Sequence, residues 1–256
     1  MKVQNIIPDA KIAGFVDRIL VLEDEVFQDP FILPLYANGV PTLMFKTVKG
    51  KLGKYSGNYL TLFGQTIFPE QLTLDEGFTL IAYFFKPYTL IPLFGVAGYE
   101  LTDKPVDLNA VSPKKTHALQ EELLNSDSIG RMIQVLDNYI FDRIRTSVDI
   151  APGIVYASEK IAFHYSKEAL SGIQKELNVT ERTFQRMFDK YIGTSPNAYR
   201  RICQFNSAFV DLNLGHYSNL SDIAFHHGYA DQSHYIRAFR EFTNITPREY
   251  LNFGAP

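Results

Sequence analysis

The sequence predicts an α+β chain of two domains. The N-terminal domain is β-rich and barrel-like, with helices at its end; the C-terminal domain is all-α, with two helix-turn-helix units. Three observations lead there. The last ninety residues hold the same helical unit twice, 51 positions apart. Residues 1 to about 110 hold short apolar runs broken by Gly, Asn and Pro turns. Hydrophobic residues make up 46% of the chain and charged residues 21%, which suits packed cores rather than disorder.

The repeat is explicit in the residues. Arg186-Met187-Phe188 returns as Arg237-Ala238-Phe239, and Ser195-Pro196-Asn197-Ala198-Tyr199 returns as Thr246-Pro247-Arg248-Glu249-Tyr250. A break precedes each Arg-x-Phe: Asn178-Val179-Thr180 in the first unit, Gly228-Tyr229-Ala230-Asp231 in the second. Asn and Gly tolerate the left-handed conformation that ends a helix. Thr180 and Asp231 suit the N-cap of the next one. Helix, tight turn, helix, twice over, reads as two helix-turn-helix units at about 166–192 and 219–243. In the second helix of each unit, Phe184, Met187, Phe188 and Tyr191, and again Tyr235, Ala238, Phe239 and Phe242, recur at core spacing. The opposite faces carry Arg182, Gln185, Arg186 and Asp189 in one unit and Gln232, Ser233, Ile236, Arg237 and Arg240 in the other. Arg, Gln and Ser near the start of an exposed helix suit base edges in a major groove. An ordinary solvated helix face is the competing reading of either helix alone, and the duplication weighs against it.

Between the units, Ser195 caps a linker helix of about 196–213 with Pro196 in its first turn, and Leu214 to Ser218 ends it. Thr246-Pro247-Arg248-Glu249 is a capping box that opens a closing helix.

The stretch from Leu220 to Tyr250, LSDIAFHHGYADQSHYIRAFREFTNITPREY, resembles the C-terminal signature of the AraC/XylS family of bacterial transcription regulators: Ile-Ala, Gly-aromatic, Asp-Gln-Ser-His, Arg-x-Phe, Thr-Pro-x-x-Tyr. The first unit matches more loosely, and the resemblance covers roughly residues 160–252. It implies a DNA-binding domain over 155–256, reading successive major-groove segments of double-stranded DNA with recognition helices about 34 Å apart. The site residues it implies are Arg182, Gln185, Arg186, Gln232, Ser233, Ile236, Arg237 and Arg240. Two departures stand out. Gln174 occupies a position where a small Ala is usual, and Gln204 one where the linker helix often carries Arg. Asp189, aligned with Arg240, adds negative charge near the expected phosphates.

In residues 1–150 the candidate strands are Phe31–Tyr36, Thr42–Val48, Tyr59–Phe63, Thr66–Phe68 and Phe78–Phe85, with turns at Asn38-Gly39, Lys49-Gly50 and Asp75-Glu76-Gly77. ILPLYANGVPTLMFK, YFFKPYTLIPLFGVAGYELTD and VDLNAV resemble the sensor-type domain of an AraC-family subgroup. That resemblance implies a cupin-like barrel that binds a small-molecule effector. Residues 1–116 contain no His and no Cys, so a metal-dependent barrel is not expected, and neither is a cofactor. Phe63, Phe68, Phe78, Tyr83, Phe84, Phe85, Tyr88 and Phe94 line an apolar pocket or form plain core, with core favoured; Lys86-Pro87 either brings a cation to a pocket mouth or ends a strand. Residues 116–147 read as helical, broken at Asn125 to Ser128. Two readings of this region stay open: a homodimer interface, or helices packed on their own barrel. Ile150 to Ile154 reads as the domain linker.

The single cysteine, Cys203, suits a reducing cytoplasm. No stretch approaches about 18 uninterrupted apolar residues, so no membrane span is expected. Net charge is −3; residues 156–256 carry 11 basic and 10 acidic residues, residues 1–155 carry 14 and 18. A near-neutral DNA half must rely on placed arginines, with Arg200 and Arg201 among the candidates. His226, His227 and His234 do not suggest a metal site, since the first two point different ways on a helix and the third lies in the next helix. No nucleophile triad, phosphate loop or repair-type cysteine motif is present. The expected protein is a ligand-responsive, sequence-specific DNA-binding regulator, not an enzyme, with RNA polymerase a further partner. The alternatives are a small-molecule-processing barrel fused to a DNA-binding module, and a regulator whose N-terminal half binds only protein.

Overall fold

Apolar runs in the first 110 residues form strands, and those at the middle of the larger sheet, Thr42–Lys46, Leu60–Phe63 and Phe78–Phe85, are buried on both faces. The computed structural model describes all residues except 25–28, 54, 112, 216 and 253–256. The strands are β1 (Lys2–Ile6), β2 (Val16–Asp24), β3 (Phe31–Leu35), β4 (Thr42–Lys46), β5 (Lys51–Leu52), β6 (Tyr55–Ser56), β7 (Leu60–Phe63), β8 (Glu70–Leu74) and β9 (Phe78–Phe85). Short helices α1 (Leu90–Phe94) and α2 (Gly98–Leu101) precede β10 (Val106–Asp107). One antiparallel sheet runs β1-β2-β9-β4-β7-β10 and a second runs β3-β8-β5-β6.

The larger sheet is the middle of three layers. Ile19, Val21, Leu43, Phe45, Leu60, Leu62, Ile81, Tyr83 and Phe85 face helices. Their neighbours Leu20, Leu22, Met44, Phe63, Leu80, Ala82 and Phe84 face the smaller sheet. This is the period-two alternation of strand side chains, apolar on both sides. Every residue of β4 is buried. The barrel-like half is an open sandwich: among the described residues no strand of one sheet pairs with a strand of the other. A barrel hides one face of its sheet; here helices cover the second face as well.

A strand at Thr66–Phe68 is also corrected. The amides of Ile67 and Phe68 both donate to Asp103 Oδ1, at 2.7 and 3.1 Å, so these donors go to a side chain instead of a ladder. Phe68 is 68% exposed. β8 follows instead, and its Leu72 and Leu74 fill the space between the sheets. Strands β1 and β2 are not among the expected ones: the charges within VDRILVLED obscure a run that pairs on both sides, with β1 and β9.

Helices α3 (Leu108–Val111), α4 (Pro113–Leu124) and α5 (Ile129–Arg145) close the outer layer. Ser128 caps α5 by accepting from the Arg131 amide. Leu119 and Leu123 of α4 and Met132, Val135, Leu136 and Ile140 of α5 pack on the large sheet. The Tyr83 hydroxyl donates to Asp137 at 2.7 Å, and Arg143 Nε donates to the Leu93 carbonyl at 2.6 Å. The apolar side of residues 116–147 is thus committed to the chain's own core.

The helical half comprises α6 (Pro152–Phe163), α7 (Lys167–Glu176), α8 (Glu181–Tyr191), α9 (Pro196–Leu214), α10 (Leu220–His226), α11 (Gln232–Thr243) and α12 (Pro247–Asn252). The segment read as a linker, Ile150 to Ile154, is partly helix: Pro152 sits in the first turn of α6, and Ile154 is fully buried with Ala157, Ile161, Phe184 and Phe188. Pro-Gly in sequence signals a break, but proline is at home in a helix's first turn.

The two halves dock closely. Thr102 Oγ1 donates to the Gly193 carbonyl at 2.6 Å. A Cβ on Gly98 would lie 2.4 Å from the Gly193 nitrogen, so only glycine permits this approach. Tyr36 packs edge-on against Phe209 and Tyr250, with centroids 5.6 and 6.4 Å away. Asn206 Nδ2 donates to the Asn38 carbonyl at 3.4 Å.

Candidate nucleic-acid interface

Both helix-turn-helix turns form for local reasons. Asn178 lies at φ 51° and Gly228 at φ 72°, the left-handed conformation that reverses the chain after α7 and α10. Thr180 Oγ1 then accepts from the Thr183 amide at 3.2 Å, starting α8. Asp231 Oδ1 accepts from the His234 amide at 2.7 Å, starting α11. Ser195 caps α9, and Thr246 and Glu249 form the reciprocal box that starts α12.

Aromatic stripes fix which face each recognition helix turns outward. Phe184 and Phe188 bury against α6 and α9, with Phe188 5.8 Å from Tyr199. Tyr235, Phe239 and Phe242 bury against Phe205 of α9, with Phe242 5.0 Å from that ring. Each buried ring contributes about 1.5–3 kcal/mol by removal from water. The opposite faces carry the expected residues. Arg182 and Arg186 of α8 and Gln232, Ser233, Arg237 and Arg240 of α11 are exposed; Gln185 and Ile236 are half-buried. Among the described residues, none of these four arginines forms an ion pair or a hydrogen bond within the chain. Gln185 Nε2 donates to Asp189 Oδ1 at 2.9 Å, and Gln232 Oε1 accepts from Ser221 Oγ at 3.0 Å.

Two arginines counted toward DNA affinity have other work. Arg200 is 7% exposed and donates to the carbonyl of Tyr165 at 2.5 Å and to Asn197 and Gln204. Arg201 forms an ion pair with Glu241 and covers the Phe242 ring. Arg200 is buried between helices, while Arg201 keeps a partly exposed side chain engaged with Glu241. The departures Gln174 and Gln204 are also absorbed structurally. Gln174 Nε2 donates to the Val179 carbonyl at 3.2 Å, closing the first turn. Gln204 Nε2 donates to the His227 carbonyl at 2.8 Å, holding the second turn to α9.

The N-terminal sandwich holds a cavity of about 160 Å³ between its sheets, lined by Met44, Lys46, Asn58, Thr61, Phe63 and Leu72 among others. Lys46 is 1% exposed, and its ammonium donates to the Asn58 carbonyl at 2.5 Å. Among the described residues it has no ion-pair partner. Burial lowers its pKa to about 8, with Asp107 opposing the shift. Sequence reading looked to Lys86 instead, which does not line this cavity. Lys46 was legible in principle, since in Thr42–Lys46 it shares a face with Met44. Of the eight aromatics considered for a pocket, Phe63 lines the cavity; Tyr83, Phe85 and Phe94 face the helix layer. In the other half, burial pushes the Cys203 thiol up to about 12, so it is a poor nucleophile.

A β-rich domain followed by two helix-turn-helix pairs on one buried linker helix is the arrangement of a DNA-binding transcription regulator with an AraC-type helix-turn-helix domain at its C-terminal end. Residues 173–252 match the family described as a helix-turn-helix domain, and residues 4–107 match a domain of unknown function (DUF6597). The chain is similar in structure to ToxT from Vibrio cholerae, at 15% identity over 98% of each chain with a TM-score of 0.53. A second ToxT structure, from Vibrio cholerae O395, is similar at 16% identity over 98% of this chain and 97% of that one, with a TM-score of 0.50. At such identities the likeness concerns the fold. No curated protein matches the chain. No described helix is long and apolar enough to cross a membrane.

Proposed function

We propose that α8 and α11 read adjacent major-groove segments of one double-stranded site, and that the N-terminal sandwich makes this binding responsive to a small anionic molecule. The observation that carries the first part is the pair of matched helices, each presenting two exposed arginines, unpaired among the described residues, on the face opposite a buried aromatic stripe. Arg182, Gln185 and Arg186 serve the first helix; Gln232, Ser233, Ile236, Arg237 and Arg240 serve the second. Footprinting on a selected site tests it: two protected segments one helical turn apart support the reading, and one segment removes α8 from it.

The effector part rests on Lys46. A buried cation without a carboxylate partner is costly, and an anionic ligand offsets that cost. The cavity of about 160 Å³ is below the roughly 300–1,000 Å³ of drug-sized pockets, so the ligand is small or opens the sheets. A thermal-shift screen of small carboxylates and phosphates on wild type and Lys46→Met tests it. Equal responses in the two proteins would remove Lys46 from the site.

A homodimer through residues 116–147 would have to use their outward polar faces, since their apolar side chains pack on the sheet. Sedimentation at micromolar concentration decides it. Acting on transcription calls for a contact with RNA polymerase or its exclusion, and run-off transcription with purified polymerase separates the two.

A further inference from the structure

The linker helix and the second helix-turn-helix turn bring three metal-ligating side chains together outside the DNA-reading face. Asp211 lies near the end of α9, His226 in the last turn of α10, and His227 at that helix's C-cap. His227 Nε2 is 2.8 Å from Asp211 Oδ2, and one ligand atom from each of the three residues lies within 4.8 Å of the other two. Helix geometry argues against such a site in sequence, since adjacent positions point different ways and His234 lies in the next helix. His234 instead caps locally, its Nδ1 accepting from the Ala230 amide. The third ligand comes from α9, a helix away in sequence, and no local motif announces it.

We infer that Asp211, His226 and His227 form a site for a divalent first-row transition ion, with zinc its natural probe, joining the linker helix to the turn that aims α11. Two imidazoles and one carboxylate suit zinc, nickel, cobalt or copper(II), and their nitrogen content disfavours magnesium and calcium. Without a thiolate the set is a poor one for copper(I). Metal–ligand bonds of about 2.0–2.2 Å place tetrahedral ligand atoms about 3.3–3.6 Å apart. The His227–Asp211 pair must open by less than about 1 Å, and His226 must swing in by up to about 1.5 Å. His226 is exposed and free to do so, while His227 is 5% exposed and held. Gln204 fixes the His227 backbone from α9, which pre-organises the fixed half of the site. No Lys or Arg forms an ion pair with Asp211 among the described residues, so its carboxylate has no competing cation. Three protein ligands leave a fourth position for water on the His226 side.

The test is zinc titration of the full chain by calorimetry, with cobalt(II) absorption as the second readout. The site predicts one zinc per chain, a tetrahedral cobalt band in the visible range, and a raised thermal midpoint in zinc. His226→Gln, at an exposed position, and Asp211→Asn each lose at least about tenfold in zinc affinity and the cobalt band, while His234→Ala stays within about twofold. Metal-free melting curves confirm that each variant folds. Absence of binding at 100-fold excess of zinc over protein would overturn the inference. So would zinc affinity unchanged in either His226→Gln or Asp211→Asn, since that places the ion elsewhere or reduces the site to two ligands.

Discussion

At the scale of single residues, exposure and partners separate reading from bracing. Arg237 is exposed, opposite Phe239, and has no ion pair or hydrogen bond among the described residues, whereas Arg200 is buried and Arg201 is paired with Glu241. Arg237→Ala should cost about 1–3 kcal/mol on a specific site and relax preference at one base. Competition against random DNA checks this, because equal losses on both would make Arg237 a phosphate contact only. Arg201→Ala should instead lower the melting temperature, through its link to Glu241 and Phe242. Lys46 makes a pH prediction. Its folded pKa of about 8 lies below the ordinary 10.5. Between those values the unfolded chain binds more protons, so this group raises stability as pH rises through that window and lowers it below pH 8. Lys46→Met should remove that slope and stabilise the chain by about 1–3 kcal/mol at pH 7. Denaturant titrations of both proteins from pH 7 to 9.5 check it; a less stable variant would mean that the Asn58 hydrogen bond outweighs desolvation. The arginines on the recognition helices were legible because helical spacing sets them opposite the aromatics. The inward turn of Lys46 and the internal roles of Arg200 and Arg201 depend on neighbours far away in sequence, and spacing alone does not reveal those.

At the scale of elements, the two helix-turn-helix units are alike in fold and unequal in their outward chemistry. Asp189 stands where Arg240 stands in the second unit, and it engages Gln185. Gln232→Ala or Arg237→Ala should therefore weaken binding more than Gln185→Ala or Arg182→Ala. Anisotropy titrations of the four variants decide it, and a greater loss from the first unit would contradict the asymmetry. The contact of α2 with the end of α8 makes another prediction. Gly98→Ala drives a methyl into the Gly193 backbone and should destabilise the chain by about 1–3 kcal/mol, as overpacking does. A thermal melt unchanged by that substitution would show that this contact yields. Turns and caps were the most legible elements, because Asn178, Gly228, Thr180, Asp231 and Ser195 act through their own backbone neighbours. The sheet was less so. β2 carries Asp17 and Arg18 at the start of a strand paired on both sides, and the start of α6 hides behind a Pro-Gly pair.

At the scale of the whole molecule, affinity for DNA rests on a few placed charges, since residues 156–256 carry 11 basic and 10 acidic residues. With Arg200 buried and Arg201 neutralised by Glu241, about four phosphate contacts per chain remain, and log K should fall with log salt at a slope near −4. A slope near −10 would place binding on charges beyond the recognition helices. The three-layer N-terminal half was half legible: strand runs were visible, but layer order depends on which of two apolar faces meets which partner. The most direct measurement of the central claim is selection of bound sequences from a random duplex pool, run in parallel for wild type and Arg237→Ala. The wild type should enrich a site with two preferred segments about one helical turn apart, and Arg237→Ala should lose preference at one base of the segment read by α11. No enrichment by the wild type, or an identical site for both proteins, would contradict it.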